Sequence, residues 1–270
     1  MSTILVTAAT GKTGRRVADR LAARGVDVRA GSRKGAVRFD WEDESTWGPA
    51  LSGADAAYLT YYPDLAAPGA PEAMRAFGRI AAEQGVGRLV VLSGRGEPDA
   101  VVAEEALRSA WGAPERLTVI RAAFFAQNFS EGALTDGVRA GEIHFPGGDT
   151  AEPWVDADDL ADVVATVLLE DGHGGKIHEV TGPSLLTLAE VAAELGRATG
   201  KEVRYVPLTV AEYASALTEY GMPAGEAEWL AGLFGFLLDG HNASTTDGVR
   251  RVLGREARPF GEFAAGAWQG

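Results

Sequence analysis

Residues 4–35, ILVTAATGKTGRRVADRLAARGVDVRAGSRKG, decide the fold. Ile4 to Val6 are branched and apolar, the make-up of a buried strand. Thr7 to Gly14 are small turn residues. Arg15 to Arg24 place Val17, Ala18, Leu21 and Ala22 on one stripe, the i, i+1, i+4, i+5 pattern of a helix laid on a sheet. Gly25 is a natural stop for that helix, and Val26 to Ala30 read as the next strand. A β-turn-α-β unit of this kind aims the N–H groups and the positive dipole end of its helix at the turn, which makes the turn an anion site. Gly11 and Gly14 fit the last two glycines of G-x-x-G-x-x-G, with Ala8 at the first position. The placement between strand and helix favours a nucleotide turn over a bare βα turn.

The far end of the unit selects the nucleotide. An NAD site wants an acid near the end of the second strand, to hold the ribose 2′-hydroxyl. Residues 29–35 contain no acid; they contain Arg33 and Lys34 beside Ser32. A guanidinium there pairs with a 2′-phosphate. The alternative is a solvated pair of surface cations, which is less comfortable where acids outnumber cations 38 to 25. The unit reads as an NADP(H) site.

At 270 residues and 46% hydrophobic composition, the chain can bury one large core, or a core with a cap lobe. It lacks the apolar run a membrane span needs and the basic-then-apolar start of a signal peptide, so the expected location is cytoplasmic. Zero cysteines exclude disulfides, thiol catalysis and thiolate metal sites. A formal net charge of −13 argues against a nucleic-acid surface. His144, His173, His178 and His241 show no metal-ligand spacing, and no metal site is expected.

After the opening unit, strands are expected at Ala36–Phe39, Ala54–Thr60, Arg88–Leu92, Leu117–Ile120 and Ile177–Thr181. Helices are expected at Glu42–Gly53, Pro71–Gly85, Asp99–Trp111 and within Trp154–Leu169. This alternation means an α/β, doubly wound parallel sheet with helices on both faces. Ligands bind outside the carboxyl ends of such strands. Gly141 to Pro153 is a Gly/Pro-rich excursion. Thr187 with Glu190 and Thr209 with Glu212 match the capping box and start two more helices, with a short strand, Val203–Val206, between them. Glu226 to Leu238 is apolar around most of its circumference, either core or a lid over an apolar ligand, with core favoured.

The segments VTAATGKTG, SRKG, LSGRG, TVIRAAFFAQNF and EPWVDADDLADVV, in that order, resemble the NmrA-like group of atypical short-chain dehydrogenase/reductases. The similarity runs to about Thr181 and more loosely to TTDGVRRVLGREARPFGEFA. The resemblance implies a Rossmann domain over 1–181, with 122–153 contributing to the substrate site, and a small, mostly helical substrate lobe over 182–270. It places the diphosphate on Thr10, Gly11, Lys12 and Thr13, and the 2′-phosphate on Arg33. Asp40 and Trp41 fall on the adenine side, Thr60 and Tyr61 on the ribose side. Ser93, Ala122, Ala123 and Phe124 fall at the nicotinamide end, with Asn128 near the substrate. Ser93 and Asn128 are the catalytic candidates; Asn128 either polarises a substrate carbonyl or caps the following turn. Relatives divide into NAD(P)H-dependent quinone or carbonyl reductases and dinucleotide-binding redox sensors that act through a protein partner.

Typical members of the superfamily protonate substrate through Tyr-x-x-x-Lys. The four lysines here, Lys12, Lys34, Lys176 and Lys201, are preceded four residues earlier by Ala8, Ala30, Gly172 and Arg197, so that relay is absent. In the helix after Ser93, Glu104 and Glu105 read as a solvated face. Two functions stay open: a reductase of a flat, apolar quinone or carbonyl compound that needs little enzyme-supplied acid, which is favoured, and a redox sensor without turnover. A homodimer is left open.

Overall fold

The computed structural model describes residues 2–268. In chain order its strands are β1 (Thr3–Val6), β2 (Asp27–Ser32), β3 (Val37–Arg38), β4 (Ala56–Leu59), β5 (Arg88–Gly94), β6 (Leu117–Ala122), β7 (Glu142–Phe145), β8 (Ala151–Glu152), β9 (Ile177–Val180), β10 (Leu186–Thr187) and β11 (Arg204–Pro207). The α-helices are α1 (Lys12–Ala23), α2 (Trp47–Leu51), α3 (Ala70–Glu83), α4 (Pro98–Trp111), α5 (Thr135–Ala140), α6 (Ala157–Leu169), α7 (Leu188–Thr199), α8 (Val210–Glu219), α9 (Ala224–Leu237), α10 (Gly248–Leu253) and α11 (Phe260–Trp268).

The chain divides into two compact units. The first comprises residues 1–122, 157–180 and 247–256. Its seven strands form one parallel sheet in the order β3-β2-β1-β4-β5-β6-β9, the doubly wound topology that the alternation of elements predicts. Helices α3 and α4 pack together in one layer, and α1, α6 and α10 in another. The central strands β1 and β4 are largely apolar because both sheet faces are covered there: Ile4 to Val6 and Ala57 to Leu59 are all but fully buried. The order reverses at β1, beside β4, and that switch fixes the ligand end of the sheet.

Acids in the first two turns of α6 do more than favour its dipole. Asp158 takes Arg16 at 3.3 Å and Arg20 at 2.8 Å, and Asp159 takes Arg255 at 2.6 Å. Asp162 takes Arg20 and Arg255. These pairs tie α1, α6 and the end of α10 into one layer.

The second unit comprises residues 123–156, 181–246 and 257–270. The excursion over 141–153 is more regular than its Gly/Pro content suggests: β7 lies there and pairs in parallel with β11, and β8 pairs antiparallel with β10. Both capping boxes form, with Thr187 and Thr209 each exchanging bonds with the glutamate three residues on. The core of this unit gathers Phe129, Phe145, Trp154, Leu188, Leu195 and Phe260.

The turn from β1 to α1 is drawn in tightly. Ala8 adopts φ +47°, in the left-handed region, and its carbonyl accepts the Gly11 N–H at 2.8 Å. A Cβ on Gly14 would lie 2.2 Å from that same carbonyl oxygen, so only glycine lets the helix start this close to the strand. Ala8→Gly is expected to raise the unfolding free energy by about 1 kcal/mol, because a Cβ is disfavoured in that region by more than glycine's extra chain entropy. Gly14→Ala is expected to lower it by about 1–3 kcal/mol. Urea unfolding with an unchanged m-value checks both.

Candidate functional site

At the head of α1, Gly11 is the N-cap and offers no side chain to the first-turn N–H groups, and the first turn carries no acid. The N–H groups of Thr13 and Gly14 have no carbonyl four residues back within the helix, and the helix dipole adds positive potential at the same place. Thr10 is exposed, Gly11 and Lys12 are half-buried, and Thr13 is buried. Arg33 lies exposed in the turn after β2, beyond the ends of β1 and β2, which run parallel in register.

Asp40 and Trp41, just after β3, are held by an indole-lined corner. The Trp47 indole N–H donates to the Asp40 carbonyl at 2.6 Å, and the Asp40 carboxylate accepts the Glu42 N–H at 3.2 Å. The Trp41 indole N–H donates to the Thr60 carbonyl at 2.8 Å, fastening the end of β3 to the end of β4. The ring of Trp41 meets those of Phe39, Trp47, Tyr61 and Phe77 at centroid separations of 4.9 to 5.5 Å. Thr60 is fixed in turn by its N–H, which donates to Thr7 Oγ1 at 2.8 Å. Behind this corner the Tyr58 hydroxyl lies fully buried beside those of Thr13 and Thr60, in good hydrogen-bond geometry with neither, and burial pushes its pKa up.

These features fit a dinucleotide. The helix start is bare of capping side chains, a glycine keeps helix and strand together, a buried threonine hydroxyl at the end of β4 lacks a partner, and an exposed arginine follows β2. Thr10, Gly11, Lys12, Thr13, Arg33, Asp40, Trp41, Thr60 and Tyr61 all belong to the first unit and follow β1, β2, β3 or β4.

The ends of β5 and β6 hold a network that the sequence reading missed. Glu104 is not on a solvated face. It is 3% exposed, accepts two bonds from Arg121 at 3.0 and 2.7 Å, and accepts the Ser93 hydroxyl at 2.6 Å. That bidentate bond raises the Arg121 pKa. The signal was in the spacing: Ala100, Ala103, Glu104, Leu107 and Trp111 share the buried stripe of α4, whereas Glu105 is exposed. Ser93 thus spends its proton on Glu104. The Ala122 carbonyl accepts the Arg95 N–H at 3.0 Å.

Glu97, at the start of α4, was not singled out in the sequence at all. It is 6% exposed, its Oε2 has no hydrogen-bond partner, and it makes no capping bond to its own helix. Its carboxyl folds back on the end of β5, where a Cβ on Gly94 would lie 1.9 to 2.1 Å from it. Burial first, then the charge and hydrogen bond of Asp64, then the charge of Glu104, push its pKa up to about 9.

Phe124 and Asn128 belong to the second unit. Phe124 is half-buried and packs on Trp154, Phe234 and Phe145 at 5.5, 5.6 and 6.5 Å. Asn128 sits in a 3₁₀ turn, Ala126–Phe129, with its N–H on the Phe125 carbonyl. Phe129 is fully buried core. Nearby, Gln127 and Arg258 hold the buried Asp156 at 2.7 and 2.9 Å. Helix α9 is neither full core nor free: Ala227, Ala231 and Leu237 are buried, Phe234 is half-buried, and Phe236 is 44% exposed. His144 is exposed and pairs with Glu142 at 3.0 Å. Among the described residues no cluster of His, Cys, Asp and Glu could hold a metal ion, and no helix is long and apolar enough to cross a membrane.

No family model matches the chain. The NADPH-dependent quinone oxidoreductase QOR2 of Escherichia coli, solved with NADPH, has the same fold with a TM-score of 0.79 at 23% identity, each chain covered in full. NmrA, a negative transcriptional regulator solved with NAD, has a TM-score of 0.71 at 21% identity over 98% of this chain and 94% of its own. The oxidoreductase YesF of Bacillus subtilis is 34% identical over 97% of this chain and 94% of its own length. The chain belongs to the NmrA-like family of atypical short-chain dehydrogenase/reductases. As a member of that NAD(P)H-binding family it is an NAD(P)H-dependent oxidoreductase.

Breaking the Glu104–Arg121 pair from one side strands a cation at the strand ends. Glu104→Ala is expected to cost about 3 kcal/mol, and Glu104→Gln, which keeps the shape and accepts one bond, less. Chemical denaturation of the two variants checks the order.

Proposed function

We propose that the chain is an NADPH-dependent reductase that passes hydride to a quinone or to an aromatic or other carbonyl compound, without a Tyr-x-x-x-Lys relay. The observation that carries the reading is the pairing of a fully built dinucleotide turn with an α4 that presents no tyrosine or lysine. Where those side chains would act, Glu104 is closed on Arg121 and Ser93. When bound, the cofactor supplies hydride. A quinone that has taken up hydride is a stabilised phenolate and draws its proton from water, so orientation of the partners provides most of the rate. The half-buried aromatic side chains Phe124 and Phe234 of the second unit support a flat, apolar substrate. Arg33 holds the 2′-phosphate, Thr10 to Thr13 the diphosphate, and Ser93 and Ala122 serve the nicotinamide end.

A second reading is a redox sensor that binds the dinucleotide and acts through a protein partner. The observation in its favour is the same missing relay, together with the likeness in fold to NmrA.

NADPH oxidation with a panel of quinones and aromatic aldehydes separates the two: turnover is expected, and NADPH binding with no turnover of any acceptor would leave the sensor. Arg33→Ala is expected to weaken NADPH by roughly 10- to 100-fold, the value of a hydrogen bond to a charged group, and to leave NADH within about twofold. Titration by fluorescence checks this, and equal losses for both dinucleotides would refute the 2′-phosphate assignment.

A further inference from the structure

Beyond the ends of the adjacent parallel strands β4 and β5, Asp64 and Glu97 bring two carboxyl groups together in the first unit. Asp64 is half-buried, and its Oδ1 accepts the Ala66 N–H at 2.8 Å. Glu97 is more than nine-tenths buried, and its Oε2 has no partner. With a second carboxylate beside it and little water around it, the buried Glu97 is the one that keeps a proton. The surroundings reinforce this. Glu104 faces the pair from α4 with its charge taken by Arg121 of β6, and Arg95 on the same loop is engaged with Glu179 at 3.1 Å. The dipole of α4 favours the ionised form, but burial and the neighbouring acids prevail. The fold thus keeps a neutral carboxylic acid at the carboxyl ends of the strands, where doubly wound sheets bind ligands. Structural economy does not explain it: the side chain caps nothing, pairs with no cation and occupies the space a Cβ on residue 94 would need.

We infer that Glu97, buried beside Asp64 at the ends of β4 and β5 with an unpartnered carboxyl oxygen, is the acid that protonates the reduced substrate in place of the absent tyrosine. The inference rests on the reductase reading above. Once the substrate carbonyl has taken up hydride and become an oxyanion, the O–H bond of Glu97 breaks and a new O–H bond forms on that oxyanion. Substrate has then gained two electrons and two hydrogens, the dinucleotide is oxidised, and Glu97 is left as a carboxylate. The half-exposed Asp64 passes a solvent proton back to it. Quinones, whose anions accept a proton from water, depend on this step least, and aromatic aldehydes most.

The test uses the full chain, 1,4-naphthoquinone and benzaldehyde as acceptors, and Glu97→Gln and Asp64→Asn as variants. Infrared titration of the protein without cofactor is expected to show the carbonyl stretch of a protonated carboxylic acid at neutral pH, fading in alkali and missing from Glu97→Gln. With NADPH affinity unchanged, Glu97→Gln is expected to lose about 100-fold or more in kcat for benzaldehyde, and much less for naphthoquinone. Its alkaline limb in the kcat profile should vanish. Asp64→Asn removes a like charge, so its limb and its infrared transition should move together to lower pH; this variant decides the matter if Glu97→Gln does not fold. A wild type that turns over while lacking the acid band, or a Glu97→Gln with full benzaldehyde activity and an unaltered profile, overturns the donor assignment and leaves the reductase reading standing. A wild type that binds NADPH and reduces neither acceptor overturns both.

Discussion

The close approach of α1 to the end of β1 is the constraint on which the first unit depends. The Ala8 carbonyl lies where any side chain on Gly14 would have to go, and it also takes the Gly11 N–H that closes the turn. With the helix seated there, Val17 and Leu21 reach the sheet and are fully buried, and Arg16 and Arg20 meet the acids of α6. The same seating leaves a bare helix N-terminus at the switch point of the sheet. Packing and anion recognition thus come from one backbone contact, which explains why an alanine held at φ +47° is tolerated at its base.

A second theme is how an acidic chain manages its buried charge. Asp159 meets Arg255, Asp156 meets Arg258 and Gln127, and Glu104 meets Arg121 in a bidentate bond. A buried carboxylate is tolerated when its lone pairs are satisfied by a charged donor. Glu97 is treated differently, since its nearest ionisable neighbours are other acids. Neutralisation by a proton is then the cheaper state. That difference in treatment sets Glu97 apart from the acids that are held by cations.

The aromatic corner formed by Phe39, Trp41, Trp47, Tyr61 and Phe77 shows how a cluster of rings can be made rigid without being sealed. Indole N–H groups of Trp41 and Trp47 are spent on carbonyls of Thr60 and Asp40, which fixes the ring planes. Tyr61 and Trp41 remain half-buried. Such pre-ordered rings lose little conformational entropy when a flat group is laid against them.

Short-range order was legible in the sequence because its causes are local. Periods of two and 3.6, the glycine after α1 and the two capping boxes depend on neighbours within a turn, and they set the parallel sheet and the helices at 187 and 209. Local pattern also marked residues 4–35 as a dinucleotide unit, with Arg33 at its end. Tertiary structure alone decided what depends on residues far apart in the chain. Only pairing with β11 shows that the Gly-rich stretch over 141–153 contains a strand. Only the return of 247–256 to the first unit brings Arg255 to Asp159. Glu104 lay on a readable helical stripe, yet its partner Arg121 is 17 residues on. Glu97 carried no sequence signal, because a carboxyl group's proton is set by what surrounds it, and Asp64 reaches it only when β4 and β5 lie side by side.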